Sequence, residues 1–185
     1  MKISVSHSGY IANKVATDLA NLPFAKLTKG LDIVVAEIEI IILADLHNEH
    51  SLEERVRDMM EDYEDEIEHD YYNIDERELF KMIKKKLAVQ YNFLMSYDDR
   101  FNNLSHKILA ILLQKKLLEF RVNDIQIKSL IFKSIENYIE DRFAIEDKVI
   151  DKMRKYKRRL TAGTDEYDIM FQKLYEIELK SKGGL

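Results

Sequence analysis

The stretch Ile33-Val-Val-Ala-Glu-Ile-Glu-Ile-Ile-Ile-Leu43 admits two readings. Its β-branched residues and partial alternation fit a strand. A second stretch settles the choice. Leu130, Ile131, Ser134, Ile135, Tyr138 and Ile139 recur at i, i+1, i+4, i+5, i+8 and i+9, the apolar stripe of a helix. The two stretches correspond through an internal repeat, so Ile33–Leu43 is read as helix as well.

The repeat emerges on shifting the chain by 93 residues. Ser51-Leu-Glu-Glu-Arg-Val56 then falls on Ala144-Ile-Glu-Asp-Lys-Val149, and Asp58, Met60 and Tyr63 fall on Asp151, Met153 and Tyr156. Upstream, Lys14, Val15 and Leu19 meet Lys107, Ile108 and Leu112, while Ile38, Ile42 and Leu46 meet Ile131, Ile135 and Ile139. A gap of three residues near the end of each copy brings Asp75-Glu76 onto Asp165-Glu166 and Leu79-Phe80 onto Ile169-Met170. The pattern predicts an all-α protein of two tandem repeats, residues 1–95 and 96–185, each a unit of about four helices.

Helices are expected near 8–21, 30–48, 51–70 and 74–93, then near 98–116, 124–142, 145–160 and 165–181. Ser51 with Glu54, and Asn73 with Glu76, have the spacing of capping boxes. Thr164 before Asp165-Glu166 reads as an N-cap with acids in the first turn. Leu22-Pro23-Phe24 and Leu117-Leu-Glu-Phe120 read as short extended links pinned to the core. Tyr167, Ile169, Met170, Leu174 and Ile177 are at helical spacing and are assigned to the core.

Composition narrows the class. The 185 residues are 46% apolar and 34% charged, enough for one domain of common size or two small ones. One Pro and five Gly argue against a turn-rich β fold. The absence of Cys excludes disulfides, thiolate zinc sites and cysteine nucleophiles. A net charge of −5 gives no global attraction to nucleic acid. The N-terminal residues show no secretory pattern, and the longest apolar run, Ile108–Leu113, is six residues against the ~20 of a membrane span. The expected setting is the cytoplasm, away from membranes.

The segment from Tyr156 to Gly183 resembles the C-terminal part of a bacterial family known only as domain of unknown function 507. The resemblance rests on Arg158 and Arg159, Gly163 and Thr164, Tyr167-Asp168-Ile169, and Tyr175-Glu176. Leu117-Leu-Glu-Phe120 is similar to the link between helices in that family. The earlier copy departs from the pattern. Glu66, Ile67 and Glu68 replace the basic helix end, and no Gly precedes Ile74-Asp75. The resemblance implies a helical fold, a tandem duplication and a working surface in the later copy. It implies no activity.

Few residues suggest chemistry. Glu66 and His69 have the Glu-x-x-His spacing of carboxylate-bridged di-metal bundles, and His47 with His50 beside Glu49 and Glu54 could form part of a zinc or nickel shell. A solvated helix face explains both in a chain with 34 acids and five His, so no metal and no cofactor is expected. No nucleophile elbow, phosphate-binding loop or dinucleotide fingerprint is present, and no catalysis is expected.

Charge distinguishes the copies. Residues 51–70 carry ten acids and two bases, whereas 144–163 carry three acids and seven bases. Opposite signs at equivalent positions suggest that the acidic segment faces the basic one, within a chain or across a homodimer. Lys148, Lys152, Lys155 and Arg159 share one helix face. The reading is a protein-binding or scaffold module. Its contact surface is drawn from Lys148, Lys152, Lys155, Arg158, Arg159, Gly163, Thr164, Tyr167 and Asp168. The alternative is an RNA-binding module using the basic helix 148–159, extended by Lys84-Lys85-Lys86. A metal-binding bundle ranks last.

Overall fold

The structure is a computed structural model that describes residues 5–66, 75–156 and 164–181, with the side chains of 63–66, 179 and 180 set aside. After a 3-10 turn at Val5–His7, the elements run α1 (Ser8–Ala20), β1 (Ala25–Leu27), α2 (Leu31–Glu66), α3 (Glu76–Gln90), α4 (Tyr97–Gln114), β2 (Leu118–Phe120), α5 (Asp124–Arg154) and α6 (Asp165–Ser181). Ile33–Leu43 is helical, inside α2. The chain divides into two compact units, residues 1–135 and 136–185. These limits differ from those of the repeated pattern, because elements from both halves of the sequence meet within the first unit.

In residues 1–135, helices α1 and α4 are amphipathic in the same register. α1 buries Ser8, Ile11, Ala12, Val15, Ala16 and Leu19. Each of these positions shifted by 93 is also buried in α4, as Phe101, Leu104, Ser105, Ile108, Leu109 and Leu112. α4 buries one residue more, Arg100. Val34, Ile38 and Ile42 of α2 and Ile127, Ile131 and Ile135 of α5 complete the buried set. Fully burying such side chains contributes ~1.5–3 kcal/mol each before entropy is counted.

A two-stranded ribbon forms beside the expected links: Leu117–Phe120 is extended as expected, but Leu22–Phe24 is corrected to a turn, Ala25 N donating to Leu22 O at 3.3 Å. β1 and β2 pair antiparallel, with Ala25 opposite Phe120, Lys26 opposite Glu119 and Leu27 opposite Leu118. The first strand begins one residue after the predicted Leu22–Phe24. Lys26 and Glu119 are equivalent under the shift of 93, so the ribbon is centred on one position and its counterpart. Flanking bonds from Thr28 N to Leu117 O (3.1 Å) and from Arg121 N to Phe24 O (3.0 Å) extend it.

The expected helix pairs 30–48/51–70 and 124–142/145–160 are corrected: each pair is one continuous helix, α2 and α5. The capping-box spacing of Ser51 and Glu54 predicts a helix start within what is continuous α2. Burial does not break there. It runs on through Glu49 and Glu53 to Val56 and Met60. No Gly or Pro lies in 44–56 to end the helix. Ser51 is an exposed mid-helix residue and not a cap. In α5 the corresponding apolar gap between Ile139 and Ile145 holds Arg142, whose Nη2 lies 2.8 Å from Glu146 Oε1.

Helix ends follow ordinary capping chemistry. Asp75 caps α3 by accepting from Arg77 N at 3.0 Å, two residues later than the expected Asn73, which lies outside the described residues. Asn92 and Lys116 take left-handed φ values of 51°. The next residues close the turns, Phe93 N to Ala88 O and Leu117 N to Leu112 O, both at 2.8 Å.

Two smaller cores use the distal parts of the long helices. In the first unit, Leu52, Val56 and Met60 of α2 pack on Ile83, Leu87 and Ala88 of α3, with Leu79, Phe80 and Phe93 around them. In residues 136–185, Ile145, Val149 and Met153 of α5 pack on Tyr167, Met170, Phe171, Leu174 and Tyr175 of α6. Tyr167 stacks on Phe171 and Phe171 on Tyr175, with centroids 6.4 and 6.1 Å apart. Tyr167, Met170 and Leu174 are thus packed as expected. Ile169 and Ile177 are corrected: they are 70% and 50% exposed. The packing matches Leu79, Phe80 and Ile83 to Met170, Phe171 and Leu174, a shift of 91 and not 90. The gap of three had turned the register by one residue, enough to move a side chain off the buried face.

Candidate functional site

Of the basic face expected on one helix, Lys148 and Lys152 lie on α5, whereas Lys155 is corrected to the turn that follows its end at Arg154. Lys148, Lys152 and Lys155 are all exposed. They differ in engagement. Lys152 Nζ donates to Glu178 Oε1 of α6. That hydrogen bond holds the Glu178 carboxyl below the usual carboxylate range, burial opposing it and the charges of Lys152 and Lys148 assisting. Part of the positive face is therefore neutralised by α6. A lowered acid makes the pair stabilising above the unfolded glutamate pKa of ~4.3 and ineffective once pH falls through the folded value. Lys152→Gln is expected to lower the melting temperature slightly at neutral pH, and the deficit should shrink as pH falls through the lowered Glu178 value. Thermal melts of both proteins over an acid pH series check this.

Thr164 caps α6, its Oγ1 accepting from Tyr167 N at 3.3 Å. Asp168 is exposed on the first turn. Tyr167 is half-buried against α5, where it holds α6 in place. Arg158, Arg159 and Gly163 lie outside the described residues, as does His69, and no side-chain description covers Glu66. The acidic and basic segments engage neighbours of their own. Glu53 pairs with Lys84 of α3, and Arg154 with Asp151.

The metal candidates do not converge. His47 and His50 are exposed, and His50 Nε2 lies 3.6 Å from Glu54 Oε1. Glu49, placed beside them by sequence, is buried on another face of α2. Among the described residues no group of three or more His, Asp or Glu side chains could hold a metal ion.

Glu49 belongs instead to a buried charge cluster. Arg100 of α4 is 3% exposed. Its Nε donates to Asp45 Oδ2 at 2.6 Å and its Nη1 to Glu49 Oε2 at 2.7 Å. Lys84 of α3 donates to Glu53 Oε1 at 2.8 Å and lies 3.4 Å from Glu49 Oε1. Phe93 covers the guanidinium, its centroid 5.0 Å from Cζ. Burial opposes the Arg100 charge, but Asp45 and Glu49 outweigh it and raise its pKa above the ordinary arginine value. The cluster joins α2, α3 and α4, and it removes Lys84 from the Lys84-Lys85-Lys86 run. Sequence offered one signal for it: acids at 45, 49 and 53 repeat every four residues on the stripe of Ile38 and Ile42.

A family model described as Protein of unknown function (DUF507) matches residues 1–184. The chain belongs to that family. The DUF507 match spans both halves of the repeated pattern, so the family unit is the whole of this chain and not the later half. No curated protein matches it. Among the described residues no helix is long and apolar enough to cross a membrane.

Proposed function

We propose that this DUF507 protein is a cytoplasmic protein-binding module without catalysis, and that its contact surface lies on α5 and α6. The supporting observation is the outer face of α6. This helix sinks its aromatic side chains against α5, yet carries Ile169 and Ile177 in solvent at 70% and 50% exposure. Asp168, Lys173 and Glu176 line a shallow hollow with Ile169. Exposed aliphatic residues within a charged rim are the composition of a protein contact. Lys148 of α5 and Lys155 just beyond its end add positive charge, and Arg158, Arg159 and Gly163 complete the surface as read from sequence. The unidentified partner is a protein with an apolar spot and acidic flanks, or a second copy presenting residues 51–70.

The internal duplication is part of this proposal. Helix, strand, long helix and helix follow one another twice, and β1 and β2 are related by the same shift of 93 as the first residues of α2 and α5. On this reading the duplication lies inside the family unit, and the later half kept the contact surface.

The test is affinity purification with the wild type and an Ile169→Glu, Arg158→Glu, Arg159→Glu variant. The expected result is a partner retained only by the wild type, with an unchanged melting temperature. An identical set of retained proteins would reject the surface. The RNA reading is tested by filter binding at two salt concentrations, where phosphate contacts would give a steep salt slope. The Lys152–Glu178 pair weighs against it.

A further inference from the structure

In the first unit a cleft of about 290 Å³ opens between α2 and α4, closed at one end by the turn that follows α3. Helical spacing arranges its walls. Asn48 and Arg55 project from α2 at i and i+7, and Asn103 and Lys107 from α4 at i and i+4. Arg100 and Asp45 also line it.

The charges in this cleft do not cancel. Asp45 is the only carboxylate among the lining residues, and it is held by Arg100 Nε. Arg55 donates to the Tyr91 hydroxyl and lies over the Tyr91 ring, 4.5 Å from the centroid. A phenol is neutral at pH 7, so neither contact offsets the guanidinium charge. Lys107 has no ion pair among the described residues. Its equivalent in α1, Lys14, is neutralised by Asp18 at 2.8 Å, one helical turn on. The residue equivalent to Asp18 is Ile111, so the later lysine lacks that carboxylate. Two uncompensated cations therefore face a cleft that also offers the amide donors of Asn48 and Asn103.

We infer that this cleft binds a small oxyanion, the phosphate or carboxylate group of a small metabolite. Arg55 supplies a planar fork of donors and Lys107 a point charge. The amides hydrogen-bond oxygens that the cations leave over. The volume is at the lower end for ligand sites, which suits a small molecule and not a polymer. The site uses none of the residues of the α5–α6 contact surface, and the two proposals stand or fall separately.

The experiment is calorimetric titration of the full chain with inorganic phosphate, pyrophosphate and citrate, each in 0.15 M salt. Saturable 1:1 binding of at least one is expected, with Kd below about 1 mM. Lys107→Gln, which breaks no described contact, is expected to leave the melting temperature unchanged and raise Kd about tenfold. Arg55→Gln with Lys107→Gln is expected to abolish binding, while Lys148→Gln with Lys155→Gln leaves it intact. Binding of the phosphates alone assigns a phosphorylated ligand, and binding of citrate alone a carboxylated one. Failure of all three to bind saturably would overturn the proposal, as would equal affinity in the Arg55, Lys107 double variant.

Discussion

Arg100→Met is expected to destabilise the protein by about 3–5 kcal/mol. Met reproduces the unbranched apolar stem of Arg100, so the packing of that stem is largely preserved. It leaves the buried Glu49 with Lys84 at 3.4 Å as its remaining ion-pair partner, and Asp45 with no ion-pair partner. The cost is that of carboxylates stranded away from water, and not the net worth of the ion pairs. Removing the stranded groups should therefore restore stability. Arg100→Met combined with Asp45→Ala and Glu49→Leu is expected to recover most of the loss. Urea unfolding of the wild type, single and triple variants measures both effects. A single variant within 1 kcal/mol of the wild type would show that these carboxylates remain hydrated.

His50→Pro is expected to cost about 3 kcal/mol or more. Position 50 lies in the middle of α2 and its side chain is exposed. The proline would remove the backbone bond to Leu46 and press its ring on that carbonyl. The bend would also disturb the register of Glu49 and Glu53 against Arg100 and Lys84. His50→Ala is the control, expected within about 0.5 kcal/mol because an exposed pair at 3.6 Å contributes little. A break at 49–50 between helices 30–48 and 51–70, as the capping-box spacing predicts, would tolerate the proline. Unfolding midpoints of the two variants separate the structures.

The same region shows what could be read from sequence. The helical stripe at Leu130–Ile139 was legible because tertiary packing uses apolar residues at every turn there. The shift of 93 carried that reading to Ile33–Leu43, and α2 bears it out. The continuity of α2 was not legible, because its buried stripe passes through Glu49 and Glu53. Their cations, Arg100 and Lys84, come 51 and 31 residues later in the chain. Local periodicity cannot distinguish such an acid from a solvated one. On α6, Tyr167, Phe171 and Tyr175 recur every four residues and mark the buried face by themselves. Drawing the helical stripe through Ile169 and Ile177 as well put those two in the core, where they are not. Lys148 and Lys152 were legible as exposed residues of one helix, but the helix end before Lys155 and the turn of α6 that brings Glu178 to Lys152 were not.

The ribbon of β1 and β2 has a consequence for biosynthesis. Ala25 finds its partner, Phe120, only after most of the chain has been made. At ~5–20 residues per second, the nascent chain waits roughly 5–20 s between the two. Through that interval the buried face of α1 lacks the later helices that share its core. The first unit can close only when α4, β2 and the start of α5 have left the ribosome, so this protein should lean on a chaperone from the emergence of α1 until those elements follow.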